Sequence, residues 1–131
     1  MANAPFFYLN PPPINPDTSL WGLRNWFTRL HRTIKGLSYP VKAQTTAFTI
    51  NPYIFFYPCN TTSAGFTATL PPAVSCIGKV VVVKKVSSDG NTLTLGVSGS
   101  DTIDGASTKT TTTQYASWHL ISDGVSNWYL I

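Results

Sequence analysis

The chain has 131 residues, a length that suits a single hydrophobic core. Charged residues make up 11% of it, against roughly 25% in an average soluble protein, and glutamate is absent. This composition is atypical of a cytosolic enzyme and fits a protein largely covered by other subunits, or a robust extracellular β-protein. The net charge of +4 is thinly spread, whereas a nucleic-acid-binding protein needs a dense basic stripe, so no nucleic-acid partner is predicted.

Residues 1–16 predict an extended, proline-rich arm. Five prolines in this range remove backbone donors and exclude both a helix and a central strand. Disordered linkers are normally polar, but this arm is apolar, so we expect it to lie on its own domain or, in the interpretation we favour, to anchor on a neighbouring subunit. The anchoring side chains would be Phe6, Phe7, Tyr8, Leu9 and Ile14.

An amphipathic α-helix is predicted over residues 17–37. Potential N-caps follow Pro16 directly, and Gly36 is a stop signal. Apolar residues recur between them at alternating intervals of three and four, the spacing of a heptad seam. The seam consists of Leu20, Leu23, Phe27, Leu30, Ile34 and Leu37.

Two interpretations of this seam remain open. The helix packs on its own β-domain, or three copies meet around an axis, since fewer than three heptads do not sustain a coiled coil alone. Other directions of the helix carry basic side chains with no acid between residues 24 and 35, which indicates either a solvated face or contact with an acidic protein. This basic face consists of Arg24, Arg29, Arg32 and Lys35.

From Val41 onward the hydrophobic period changes to two, which predicts a β-domain over residues 41–131. Turn signals every eight to twelve residues favour an antiparallel β-sandwich or jelly-roll-like domain. The run from Lys79 to Lys84 is apolar on both faces and predicts a central strand, followed by Lys84-Lys85 as a charged pair that limits aggregation. The candidate strands are 43–50, 53–58, 66–70, 79–86, 91–97, 108–113, 114–122 and 126–131.

No constellation for catalysis, a cofactor or a metal is recognised, so the chain is not predicted to be an enzyme. The spacing of Cys59 and Cys76 fits no zinc module, and Asp101 and Asp104 are better explained as turn formers than as calcium ligands. No apolar span reaches transmembrane length and no secretory signal pattern is present, so we expect assembly in a cytosol with both cysteines reduced.

Aromatic residues near the end of the sequence admit a carbohydrate platform as an alternative to core packing. These residues are Tyr115, Trp118, Trp128 and Tyr129. Alternate positions of a strand more often fill a core, which is the interpretation we favour.

Five short segments, in order, resemble a β-module of tailed-bacteriophage virion proteins. That family has a strand ending in Leu-Pro, a Gly-Lys entry to a Val/Ile-rich strand, an Ile-Asp-Gly turn and a closing Asp-Gly-x-x-Asn-Trp strand. The corresponding segments are FTATLPPA (66–73), GKVVVVKKV (78–86), NTLTL (91–95), DTIDGAS (101–107) and SDGVSNWYLI (122–131).

The resemblance covers about half of the chain and implies a structural, usually trimeric, virion component without catalysis. The chain has no room for the long shaft of a receptor-binding fibre, so we expect a homotrimeric capsid decoration, or cement, protein on the head surface. Its partner would be the major capsid protein. The alternative is a tail component, a short fibre or adaptor, whose β-domain binds a receptor or a host glycan.

Overall fold

A computed structural model of the chain describes residues 19–36 and 38–131. They belong to two compact units, one that ends at Ser38 and one that spans Tyr39–Ile131. The proposed arm over residues 1–16 and the seam residue Leu37 lie outside the described residues.

Helix α1 spans Ser19–Lys35, within the predicted range of 17–37. It ends where glycine interrupts the sequence, because glycine is a poor helix former. The Gly36 amide donates to the carbonyl oxygens of Arg32 and Thr33, both at 3.1 Å, and closes the final turn.

The second unit, Tyr39–Ile131, consists of nine strands and one 3₁₀ turn at Ala73–Ser75. The strands are β1 (Phe48–Thr49), β2 (Phe56–Cys59), β3 (Phe66–Thr69), β4 (Val80–Lys85), β5 (Leu93–Gly96), β6 (Thr102–Ile103), β7 (Thr108–Thr111), β8 (Ser117–Ser122) and β9 (Asn127–Leu130). They form a four-stranded sheet in the order β1-β3-β5-β7 and a five-stranded sheet in the order β2-β4-β8-β9-β6. The predicted mainly β architecture is confirmed.

Strand pairing is mixed, which corrects the expectation of an antiparallel sandwich. Pairs β1–β3, β3–β5, β2–β4 and β6–β9 are parallel, whereas β4–β8, β5–β7 and β8–β9 are antiparallel. From β1 to β5 the chain alternates between the two sheets, so each strand re-enters its sheet in the same direction. Turn residues look alike whether the chain reverses within a sheet or crosses to the other one, so the sequence did not reveal the difference.

The predicted strand over 43–50 is divided between the two sheets. Its end forms β1, while the residues before it lie parallel to β2 through bridges between Val41 and Phe56 and between Gln44 and Cys59. The segment 41–44 is therefore the edge of the five-stranded sheet next to β2.

Both sheets share one hydrophobic core, and the last strand is part of it. Strand β9 lies between β8 and β6, which confirms the strand predicted over residues 126–131. Trp128 on β9 is fully buried and its indole Nε1 donates to the carbonyl oxygen of Pro71 at 3.2 Å. This bond satisfies the polar atom that burial of a tryptophan would otherwise leave unpaired.

The two predicted Asp-Gly turns are present. Asp104 and Gly105 both have positive φ, 46° and 78°, and the flanking Ile103 and Ala106 exchange two backbone hydrogen bonds. Positive φ at both central positions matches the right-handed twist of the flanking strands, which is why a two-residue hairpin favours this pair. Gly124, at φ 76°, turns the chain between β8 and β9.

Candidate interaction surfaces

The outer face of the five-stranded sheet carries mainly apolar side chains, from Val41 at one edge to β9. Residues that pair directly point to the same side of a sheet. The register therefore aligns one row across the sheet, opposite to the core, and a second, shorter row beside it. The first row is Val41, Phe56, Val82, His119 and Ile131, and the second is Val80, Ile121 and Tyr129.

We call these eight residues the outer face. Val82, at its centre, is only 6% exposed, whereas the margins are open: Val41 is 61% exposed, Ile131 71% and Tyr129 45%. Contiguous apolar surface of this kind marks sites of interaction with other molecules. The sequence indicated the outer face through the run before Lys84, which is apolar on both faces of the strand. The extent of the outer face depends on the order of the strands in the sheet.

Cationic and aromatic side chains border the outer face at one end. The Lys84 Nζ lies 5.5 Å from the centre of the Tyr115 ring. The hydroxyl of Ser117 and Nε2 of His119 are 3.3 Å apart. Tyr115 is a non-glycine residue with a φ of 65°, a strained conformation for a bulky side chain.

Helix α1 presents a second apolar surface. Its seam residues Phe27 and Ile34 are 54% and 51% exposed, and Leu23 is exposed as well. An open depression on the helix is lined by Phe27, Thr28, Leu30, His31 and Ile34. Leu20 also lies within α1.

The predicted basic residues occupy α1 as well. Arg24, Arg29 and Arg32 are exposed, and Lys35 is the last residue of the helix. Arg32 is five positions beyond Phe27, so at 100° per residue it lies on the opposite side of the helix from the seam. Arg29 and Arg32 thus lie away from the seam, whereas Arg24 flanks it.

Lys85 differs from the prediction that it forms, with Lys84, a charged pair that limits aggregation. It is completely buried. Its Nζ donates to the backbone oxygens of Ser87 and Asp89, at 2.9 and 3.0 Å, and lies 3.4 Å from the Asp89 carboxylate. The strand period of two, which places Lys85 on the same face as Val81 and Val83, is the signal that could have revealed it.

The Asp89 carboxylate joins Lys85 to a wider polar cluster. Its Oδ1 accepts from the Thr61 hydroxyl at 2.8 Å and from the Asn91 amide at 2.9 Å. The hydrogen bond from Ser87, followed by those from Thr61, Asn91 and Lys85, holds the pKa of Asp89 far below its usual range. Its Oδ2 is buried without a hydrogen-bond partner. The cluster ties the loop after β4 to the loop after β2.

The side chains of Asp101 and Asp104 bind backbone amides of distant segments, whereas the sequence predicted turn-forming bonds within their own loops. Asp101 accepts from the Ala73 amide at 2.7 Å, and Asp104 accepts from the Leu130 amide at 3.3 Å. No group of three potential metal-ligating side chains occurs among residues 19–36 and 38–131.

Both cysteines are buried free thiols in the β-unit. Burial raises the pKa of Cys59 to about 12. The pKa of Cys76 is also raised, mainly by burial. The thiolate is the reactive form of cysteine, so a raised pKa disfavours reaction at both thiols.

The aromatic residues near the end of the sequence do not form the carbohydrate platform considered as an alternative. Trp128 is buried in the core and Trp118 packs against it, whereas Tyr115 and Tyr129 are exposed. Trp128 and Tyr129 are adjacent on β9, so the pleat sends them to opposite faces. Because Trp128 is fully buried, the four aromatic residues do not share one exposed surface, and core packing is correct for Trp128 and Trp118.

Residues 1–16, including all five proposed anchoring side chains, lie outside the described part of the chain. Among the residues that the structure describes, no helix combines the length and apolar character needed to cross a bilayer. Neither a scan of protein-family models nor a search of characterised proteins returns a match to this chain.

Proposed function

We propose that this protein is a non-enzymatic structural component of a phage virion, a homotrimeric capsid decoration protein that stabilises the head shell. The observation that carries the proposal is the outer face, an exposed apolar surface on a well-packed β-unit. Such a surface is suited to burial against another subunit. The ordered β-module motifs support its assignment to the virion.

In this proposal the outer face contacts the major capsid protein. The basic side of α1 would meet acidic shell surface, and the arm with Phe6 to Leu9 would anchor on the shell or on an adjacent trimer. Burying a large apolar side chain contributes about 1.5–3 kcal/mol, and three copies of each contact act together through avidity. Many weak contacts over a shell thus give a stable coat.

The test is binding of the purified protein to expanded capsids that lack it. We expect the wild type to co-sediment at saturating occupancy and Val41→Asp to bind at least tenfold more weakly, because a carboxylate on the outer face must be desolvated in the contact. Val125→Asp is the matched control, since Val125 is 69% exposed but lies in the β8–β9 turn, away from the outer face.

Equal binding of the two variants would contradict the role of the outer face. Antibody labelling of whole particles tests the location separately. Label spread over the head is expected, whereas label at one vertex would favour the alternative of a tail component with a receptor-binding or glycan-binding β-domain.

A further inference from the structure

We propose that α1 is a self-association element in which copies of the helix pack in parallel around a common axis. Leu30 of one copy would sit in the depression on α1 of the next copy. The number of copies, three, rests on the proposed trimeric function, whereas the contact and its direction rest on the helix itself.

The shape of α1 supports this contact. Phe27, Leu30, His31 and Ile34, which line the depression, are spaced i, i+3, i+4 and i+7. Four residues at this spacing form the hole that receives a side chain from a facing helix in a coiled coil. Phe27 and Ile34 occupy heptad position a, Leu30 occupies position d and His31 occupies position e. In parallel coiled coils, a hole formed by one d, one e and two a positions accepts the side chain at position d of the facing helix.

The exposure of the seam leaves apolar surface available to a partner. Phe27 and Ile34, both at heptad position a, are more than half exposed, at 54% and 51%. On a helical projection at 100° per residue, the apolar sector extends from Leu20 to Trp26, which occupies heptad position g. The sector is about 120° wide. A sector of that width is broader than the narrow seam of a two-stranded coil and is wide enough to be covered by two neighbouring helices, although a globular core covers sectors of the same width.

Charge decides the direction of packing. The e positions carry Arg24 and His31, whereas the g positions include Trp26 and Thr33, which are uncharged. Parallel packing brings e side chains against g side chains of the neighbour, so that Arg24 meets no basic residue and His31 faces the Trp26 ring. Antiparallel packing brings e against e, so that Arg24 and His31, the two basic e residues, lie against each other instead of against uncharged g residues.

The first experiment measures the mass of the full chain in solution by light scattering. The wild type is expected at three times its 14.3 kDa. Ile34→Gln, which places an amide in the seam, should shift it to monomer with the β-unit intact by circular dichroism. The matched control is Arg32→Gln, because Arg32 occupies an outward f position, and it should remain trimeric. A monomeric wild type, or an unchanged Ile34→Gln, would overturn the proposal.

The second experiment tests direction. Leu23→Cys places a thiol in the seam near one end of α1, where only parallel packing brings equivalent positions together. Mild oxidation with diamide should give a covalent dimer on a non-reducing gel. Asn25→Cys, at an outward f position, is the control and should cross-link at least tenfold less. The native cysteines are buried. Absence of the Leu23→Cys dimer from an intact oligomer would refute the parallel arrangement.

The two proposals fail separately. If Ile34→Gln is monomeric while labelling places the wild type at the tail, the helix contact stands and the decoration function does not. If the wild type is monomeric in solution yet covers the head, the decoration role stands, but its homotrimeric form and self-association through α1 do not.

Discussion

The Asp123 carboxylate organises the turn between β8 and β9. Its Oδ1 accepts from the backbone amides of Val125, Ser126 and Asn127, at 2.8, 3.1 and 3.0 Å, and its Oδ2 accepts from Asn127 Nδ2 at 2.9 Å. Hydrogen bonds from the Asn127 backbone and side chain, then from Val125, lower the pKa of Asp123 to about 2. Each of these bonds favours the charged form.

Because the folded pKa of Asp123 lies below its ordinary value, its contribution to stability is complete above about pH 4 and is lost as the pH falls through about 2. We therefore expect Asp123→Asn to lower the Tm by several degrees at pH 6. The difference from the wild type should shrink as the pH approaches 2. Thermal melts of both proteins across this range check it. Both proteins share the titration of Asp89, so it cancels in the difference between their Tm values. A difference in Tm that stays constant across the pH range would contradict the prediction.

Lys85 shows the limit of composition arguments for single residues. A lysine is almost never buried without partners, and Lys84-Lys85 was therefore interpreted as a charged pair that limits aggregation. The strand fixes which of the two faces inward, and the loop from Ser87 to Asp89 then supplies the acceptors that satisfy the inward one. The partners are close in sequence, but their convergence on one atom is a property of the folded loop.

At the scale of the element, β9 separates a core side from a surface side. Trp128 is fully buried, whereas the adjacent Tyr129 is 45% exposed on the outer face. We expect Trp128→Ala to lower the free energy of unfolding by about 3–5 kcal/mol, as for other large-to-small core substitutions. Tyr129→Ala should lower it by about 1 kcal/mol or less.

Urea denaturation of both variants measures this difference. Trp128 and Tyr129 lie on the same strand, and each substitution removes one aromatic ring. The change in intrinsic strand propensity is therefore similar in the two variants and largely cancels when they are compared. Similar losses at the two positions would mean that the pleat does not orient β9 as described.

Helix α1 and strand β4 were predictable at this scale, because each has its own sequence signal. The heptad spacing and Gly36 defined the helix, and the run of four valines defined the strand. The division of residues 43–50 between two sheets was not predictable, since no glycine or proline interrupts the stretch. The pairing of Val41 and Gln44 with β2 depends on where β2 returns.

At the scale of the molecule, the β-unit has a complete core of its own. Its core residues all belong to the range 50–128. We expect a fragment of residues 39–131 to fold cooperatively, with a Tm within about 5 °C of the full chain, and to be monomeric because it lacks α1. Calorimetry and light scattering measure both properties.

A fragment of residues 39–126, which lacks β9, is the control for this experiment and should not fold, because it loses Trp128 and separates β6 from β8. A trimeric 39–131 fragment would place self-association in the β-unit instead of α1. A fragment that remains unfolded would mean that the β-unit depends on the residues before Tyr39.

The sequence by itself determined the fold class, the position of α1 and the Asp-Gly turns, because periodicity, glycine and short acidic side chains act locally. It also indicated an assembly role, through its low charge and its apolar run before Lys84. Only the tertiary structure decided that β1 to β5 alternate between two sheets, that Trp128 is core and not a ligand platform, and that Lys85 is buried. These features depend on which strands become neighbours, and the packing of distant segments sets that arrangement.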